Sequence, residues 1–231
     1  MLEAGRCAPA IMEHAIVLCS AGLDSAVLVA LEARERVVRP VYVSFGLAWE
    51  EAERAMLDRL LPALRLGDRV GSPERLTVDM RDVYPAAHWA VRGTPPAYDS
   101  PDEEVYLEGR NIVLLSKAAV FAAREGISRV ALGPLAGNPF PDATPEFFTA
   151  MGRALSIGLD HPIDIVTPLA SMHKADVISL GASLGVPLEL TMSCMNPQRG
   201  VHCGRCSKCR ERQHGFTEAG VVDRTEYLTS F

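Results

Sequence analysis

The sequence predicts an α/β fold, an open parallel sheet with helices on both faces, because short apolar runs alternate with helical patterns along most of the chain. Such runs suit strands covered on both sides, and the repeated strand–helix order implies parallel pairing. Residues 14–19, His-Ala-Ile-Val-Leu-Cys, read as a buried first strand, and 25–35 as a helix turning Val27, Leu28 and Leu31 inward. A second strand follows at 37–44, a long helix at 50–64 and a third strand at 75–80. Residues 111–125 form an Ala-rich, strongly apolar helix that suits packing on a sheet. A fourth strand at 129–133, a helix near 145–157, a short strand at 163–166 and a helix near 173–184 complete the order. Two stretches rich in Pro and Gly, 84–109 and 133–144, break it. Long loops in open α/β sheets gather over the carboxyl ends of the strands, where ligands bind.

A chain of 231 residues that is 48% hydrophobic can bury one substantial core. We expect a main domain over 1–190 and a C-terminal segment, 191–231, packed on it. A net charge of -6 and a pI near 5.5 disfavour a polyphosphate backbone as partner, so nucleic acid is not expected and small molecules come first. The first ten residues show neither a basic stretch nor a long apolar one, and no window approaches the ~20 apolar residues that span a bilayer. The expectation is a soluble, cytoplasmic protein without membrane contact. Six cysteines are present, four of them in one C-terminal cluster. Of the other two, Cys7 has no assignment and Cys19, ending an apolar run, reads as a small buried hydrophobe.

Between the first strand and first helix lies Ser20-Ala21-Gly22-Leu23-Asp24-Ser25. Small residues there let the backbone curl and point N–H groups at an anion held against the helix N-terminus. The loop is no Walker loop, lacking the Gly-Lys-Ser/Thr ending, and no dinucleotide fingerprint, lacking the three-glycine spacing. The plainer reading is a tight turn in which Asp24 or Ser25 caps the helix. Asp24 would repel phosphates unless it capped backbone N–H groups or met them through Mg²⁺.

Cys194, Cys203, Cys206 and Cys209 place four thiols within sixteen residues, with a Cys-x-x-Cys knuckle that suits tetrahedral Zn²⁺. An iron–sulfur cluster is the rival, although the usual fourth ligand and following proline are missing. Four thiolates leave no open coordination, which makes the role structural. They also leave a formal charge of about -2 on the centre, and Arg199, Arg205, Lys208, Arg210 and Arg212 would balance it. A basic surface for tRNA is the alternative use of these side chains.

The first loop resembles the PP-loop, the Ser-Gly-Gly-x-Asp-Ser signature of ATP pyrophosphatases, with Ala21 in place of a glycine. From about residue 14 to 216 the chain resembles the 7-cyano-7-deazaguanine synthase family of the queuosine and archaeosine pathways. The resemblance continues in Leu107-Glu-Gly-Arg-Asn111, in Thr167-Pro-Leu with His173-Lys-Ala-Asp176, in Leu184-Gly-Val-Pro, in Thr191-Met-Ser-Cys194-Met-Asn and in Cys203-Gly-Arg-Cys-x-x-Cys209. It implies an adenine nucleotide alpha hydrolase-like, Rossmann-like fold and AMP-forming chemistry, with the loop holding the departing pyrophosphate. The implied substrates are ATP, ammonia and a small-molecule carboxylate, 7-carboxy-7-deazaguanine, and the implied assembly is a homodimer. Asp24, Arg110 and Lys174 become the candidate catalytic residues, the last two as stabilisers of phosphate charge. Asn111 serves equally as a helix cap or a ligand contact. Asp142, in Phe-Pro-Asp, or Glu146 would accept hydrogen bonds from a guanine-like edge, and either also suits a helix start. Two segments depart from the family pattern: Ser44-Phe-Gly-Leu-Ala-Trp-Glu50 replaces an aromatic-Gly-Gln-Arg-His stretch, and Ala143-Thr144 replaces Cys-Arg. The departures leave open a related ligase acting on another carboxylate or acceptor. A tRNA-modifying PP-loop enzyme is a further alternative, which the acidic charge opposes.

Overall fold

The structure, a computed structural model, describes residues 12–228. Five strands and seven α-helices are described: β1 His14–Leu18, α1 Leu23–Glu32, β2 Val37–Ser44, α2 Glu50–Ala63, β3 Glu74–Thr77, α3 Trp89–Arg92, α4 Arg110–Arg124, β4 Arg129–Ala131, α5 Pro145–Leu159, β5 Asp164–Val166, α6 Lys174–Ser183 and α7 Ser207–Ala219. All pairs are parallel and the sheet order is β3-β2-β1-β4-β5. The chain winds outward from β1 through β2 to β3, then resumes on the other side of β1. That reversal makes the carboxyl ends of β1 and β4 a topological switch point, where the loops of an open sheet part to form a crevice.

Side chains alternate across the strands and divide the interior into two apolar layers. Val17 of β1 and Val38 and Tyr42 of β2 face α1, α2, α6 and α7, whereas Ile16, Leu18, Val41 and Val43 face α4 and α5. The four clustered cysteines and Phe216 belong to the first layer, so the C-terminal segment shares its core with the α1 side of the sheet. Two glycines permit the close helix contacts this needs. A Cβ on Gly181 of α6 would stand 2.7 Å from a methyl of Val27, and one on Gly215 of α7 would stand 2.5 Å from Cγ of Lys174.

The expected elements are present with ends shifted by a few residues. The third strand is the main difference: it spans Glu74–Thr77 at the sheet edge, and beyond it Val78 and Met80 keep only single N–H bonds to the carbonyls of Ser44 and Phe45. Helix α7 was not anticipated, because its inward residues are Cys209, Arg212, Gly215 and Phe216, a set without an apolar stripe. Cys19 is buried, and burial pushes its thiol up, as a core cysteine requires. Cys7 lies outside the described residues. Among the described residues no helix is long and apolar enough to cross a membrane.

Candidate active site and metal centre

A cavity of about 300 Å³ opens over the carboxyl ends of β1, β2 and β4. Its floor is the loop after β1. Ala21 there has φ +60, the left-handed region that favours glycine, and its carbonyl accepts from the N–H of Met192 at 2.8 Å. Gly22 caps α1 with no side-chain hydrogen bond, so the first N–H groups of the helix are not taken up by a capping side chain. The Ser25 hydroxyl donates to the Gly22 carbonyl at 2.9 Å and thereby tightens the turn. Leu23 is the exception within this loop: its side chain is core, and only its backbone can face an anion. The two long loops arrive as anticipated, contributing Val105, Tyr106 and Leu107 on one wall and Pro134, Asn138 and Phe140 on another. Tyr106 and Phe140 stack with ring centroids 5.0 Å apart.

Asp24 and Lys174, 150 residues apart in sequence, meet at the loop. The Lys174 ammonium donates to both Asp24 oxygens, at 2.8 and 2.7 Å, and lies 2.8 Å from Glu211, whose other oxygen holds Lys208 at 2.6 Å. Burial works against charging Lys174, but the two carboxylates outweigh it and hold the ammonium well above the usual lysine range. Glu211 is likewise opposed by burial and drawn down, to about 2, by Lys174 and Lys208. Lys174 is thus a fixed cation at the loop after β1.

Arg110 opens α4 at the cavity wall, and its buried Nε has no hydrogen-bond partner in the structure. Asn111 and Asp142 bind each other: the Asn111 N–H donates to the Asp142 carboxylate and the Asn111 amide donates to the Asp142 carbonyl, both at 2.9 Å. Asp142 therefore serves as the cap of α4 while lining the cavity. Glu146 is not brought there. It is exposed on the first turn of α5, where a negative charge complements the helix dipole, and does not line the cavity.

Three carboxylates that the sequence did not single out are Glu50, Glu53 and Glu211. In sequence Glu50 and Glu53 look like solvated acids in the first turn of a helix. In the structure both are buried and line the cavity. Glu50 is occupied by the turn that precedes it, accepting from the Ser44 hydroxyl at 2.5 Å and the N–H groups of Phe45 and Gly46 at 2.6 and 3.3 Å. Glu53 accepts from the Tyr42 hydroxyl at 2.9 Å. A second cavity, about 230 Å³, adjoins the first and shares Ser20, Gly22, Asp24, Glu53 and Arg110 with it.

The four clustered cysteines form the second centre. Their sulfurs lie within 4.8 Å of one another, with separations of 3.9 Å between Cys203 and Cys209, 4.0 Å between Cys194 and Cys206, and 3.5 Å between Cys206 and Cys209. A tetrahedron of thiolates about 2.3 Å from one ion has edges of about 3.8 Å. The set therefore fits a single metal ion, whereas an iron–sulfur cluster spreads its cysteines over two or more irons and so over longer distances. Backbone N–H groups of Asn196, Cys203 and Arg205 point at the Cys194 and Cys203 sulfurs at 3.3 to 3.4 Å, which disperses thiolate charge. Of the expected cations, Lys208 pairs with Glu211 and Arg210 donates to the Ser100 carbonyl, whereas Arg212, buried in bonds to the neighbouring loops, also interacts electrostatically with Cys209.

Fold and site together define an open-sheet α/β protein with a cavity over the loop at its switch point and a separate cluster of four cysteines that could hold a metal ion. Residues 14–220 match the family described as queuosine biosynthesis protein QueC, and the chain belongs to that family. A 7-cyano-7-deazaguanine synthase from Methanothrix thermoacetophila is 36% identical over 94% of this chain and 99% of its own length. Proteins of the same name from Anaeromyxobacter dehalogenans and Thermoplasma volcanium are 35% and 34% identical, over 93% of this chain and 95% and 91% of theirs.

Proposed function

We propose that this chain is an ATP-dependent carbon–nitrogen ligase that converts 7-carboxy-7-deazaguanine and ammonia to 7-cyano-7-deazaguanine. The observation that carries the reading is the near-full-length identity to proteins of that name, joined to a cavity set over the loop that such chemistry needs. A carboxylate resists amines because oxide is its leaving group. Transfer to the α-phosphate of ATP expels pyrophosphate and gives an acyl adenylate, from which ammonia displaces AMP to form the amide. A second ATP adenylates the amide oxygen, and elimination of AMP leaves the nitrile. Catalysis of these steps is mainly positioning and charge stabilisation.

The residues support a division of labour. The N–H groups of residues 20–25 hold the departing pyrophosphate at the start of α1. Lys174, charged and fixed by Asp24 and Glu211, faces the same anion, and Arg110 offers its unsatisfied Nε to a phosphate oxygen. Asp24, already neutralised by Lys174, is also suited to Mg²⁺ carried in by ATP. Asp142 presents a carboxylate to the guanine-like edge from the wall formed with Tyr106 and Phe140. The metal of the four-cysteine centre is Zn²⁺ with a structural role, as its closed tetrahedral donor set suggests. A homodimer in the cytoplasm, drawn from the same resemblance, completes the reading.

The test is incubation of the protein with ATP, Mg²⁺, ammonium and 7-carboxy-7-deazaguanine, following products by mass spectrometry. Nitrile with AMP is the expected outcome, and Asp24→Ala should abolish it in a protein that still folds and holds its metal. Folded, metal-loaded protein that binds ATP but turns over no nitrile would overturn the substrate assignment.

A further inference from the structure

The chemistry just described needs a group to deprotonate ammonium, and the acids near the loop differ in their availability for it. Asp24 is bound through both oxygens to Lys174, Glu211 is bridged between Lys174 and Lys208, and Glu50 is occupied by backbone N–H groups. Asp142 caps α4. Glu53 alone of these has neither a backbone N–H nor a lysine on its carboxylate in the structure, and it stands where the two cavities join beside Ser20, Gly22 and Arg110. The second cavity continues from there along Trp49, Met192 and Met195 on one side and along Lys174, Lys208 and Glu211 on the other.

We propose that Glu53 is a catalytic residue of this ligase, the base that takes a proton from ammonium where the two cavities join. The proposal rests on the reading of the chain as an ammonia-using ligase. The Glu53 carboxylate accepts one proton from NH₄⁺. The nitrogen lone pair so released forms the C–N bond at the acyl carbon, and the C–O bond to AMP breaks with its electron pair leaving on the phosphate. The added nitrogen sheds a further proton to solvent, and Glu53 returns its own proton before the next cycle.

The groups facing Glu53 tune it for this. Burial raises its carboxyl to about 7, against the pull of Arg110 from α4 and of the Tyr42 hydroxyl from β2; Glu50 adds to the rise and the Trp49 indole opposes it. A base near the working pH is the efficient one.

The experiment compares wild type and Glu53→Gln with two nucleophiles, ammonium and hydroxylamine, the latter neutral at pH 7. Gln keeps the shape and can still accept from Tyr42. Expected is a loss of about 10²–10⁴-fold in kcat/KM for ammonium at pH 7, none for hydroxylamine, and no change in KM for the carboxylate. The wild-type rate on total ammonium should rise to about pH 7 and then level, whereas the variant should climb with free ammonia. An equal loss with both nucleophiles, or no loss with ammonium, would overturn the role of Glu53. If the variant fails to fold, the wild-type profile decides alone: a steady climb beyond pH 7 toward the pKa of ammonium overturns it. A wild type that releases AMP with neither nucleophile would instead overturn the proposed function.

Discussion

Arg212 and Arg110 both border the second cavity, yet the protein treats them differently. Arg212, 1% exposed, donates to the Leu188 carbonyl, to the hydroxyls of Thr191 and Ser193, and through two nitrogens to Thr225, with its guanidinium 5.1 Å over the Phe216 ring. Arg110 holds a buried Nε with no acceptor. A saturated arginine fixes loops, and an unsaturated one is prepared for a ligand that brings acceptors. A related contrast separates the metal segment, where backbone N–H groups bond the Cys194 sulfur, from the loop side, which holds a left-handed Ala21 and a buried Glu53.

The largest break is expected in the metal segment. Cys206→Ala should lose the metal and, with it, a contribution of about 10 kcal/mol or more, comparable with the whole stability of a domain. Metal content and thermal unfolding measured together check this; a variant that keeps its melting temperature would remove the structural role. Next come the arginines. Arg212→Met should destabilise by about 3 kcal/mol, since several buried acceptors lose their donor. Arg110→Met should change stability by less than about 1 kcal/mol while lowering kcat/KM by about 10²–10³-fold. Denaturant melts beside steady-state rates would separate the two, and equal destabilisation would dissolve the contrast.

Glu53 sharpens it through pH. A carboxyl raised from its ordinary value to about 7 binds more protons folded than unfolded, so it lowers stability as pH rises from about 4.5 to 7. Glu53→Gln should therefore melt like wild type at pH 5 and be more stable at pH 8, by up to about 3 kcal/mol. A variant less stable at pH 8 would show that the charge is welcome there. The smallest effect belongs to Ala21→Gly. Relief of the left-handed strain is offset by the entropy of glycine and the loss of a buried methyl, leaving a change within about 1 kcal/mol in either direction. A calorimetric scan showing a larger gain would mean that the loop is more strained than its dihedrals suggest.

Much of this architecture follows from short-range order. The buried strand 14–18, the glycine-bearing turn and the following helix are written in adjacent residues, and so are the cysteine spacings, because each depends on period, turn chemistry or chelate geometry within a few residues. Helix α7 escaped because its buried face is made of Ser207, Cys209, Arg212, Gly215 and Phe216, which form no apolar stripe. Glu50 and Glu53 escaped because an acid in a first helical turn is ordinarily solvated, and only the crossing of α2 with β2 turns these two inward. Glu146 shows the reverse: its residue type suited the site and its position did not.

The sequence by itself determined the parallel α/β order, the tight turn between β1 and α1, the four-thiol cluster and the family pattern, since these rest on local periodicity and spacing. Tertiary structure alone decided that Lys174 meets Asp24 across 150 residues, that Asp142 caps the helix bearing Arg110, and that Glu53 stands between two cavities. Such pairings depend on the order in which strands are laid into the sheet and on where glycines let helices approach, and those distances are set by packing between elements that sequence spacing does not encode.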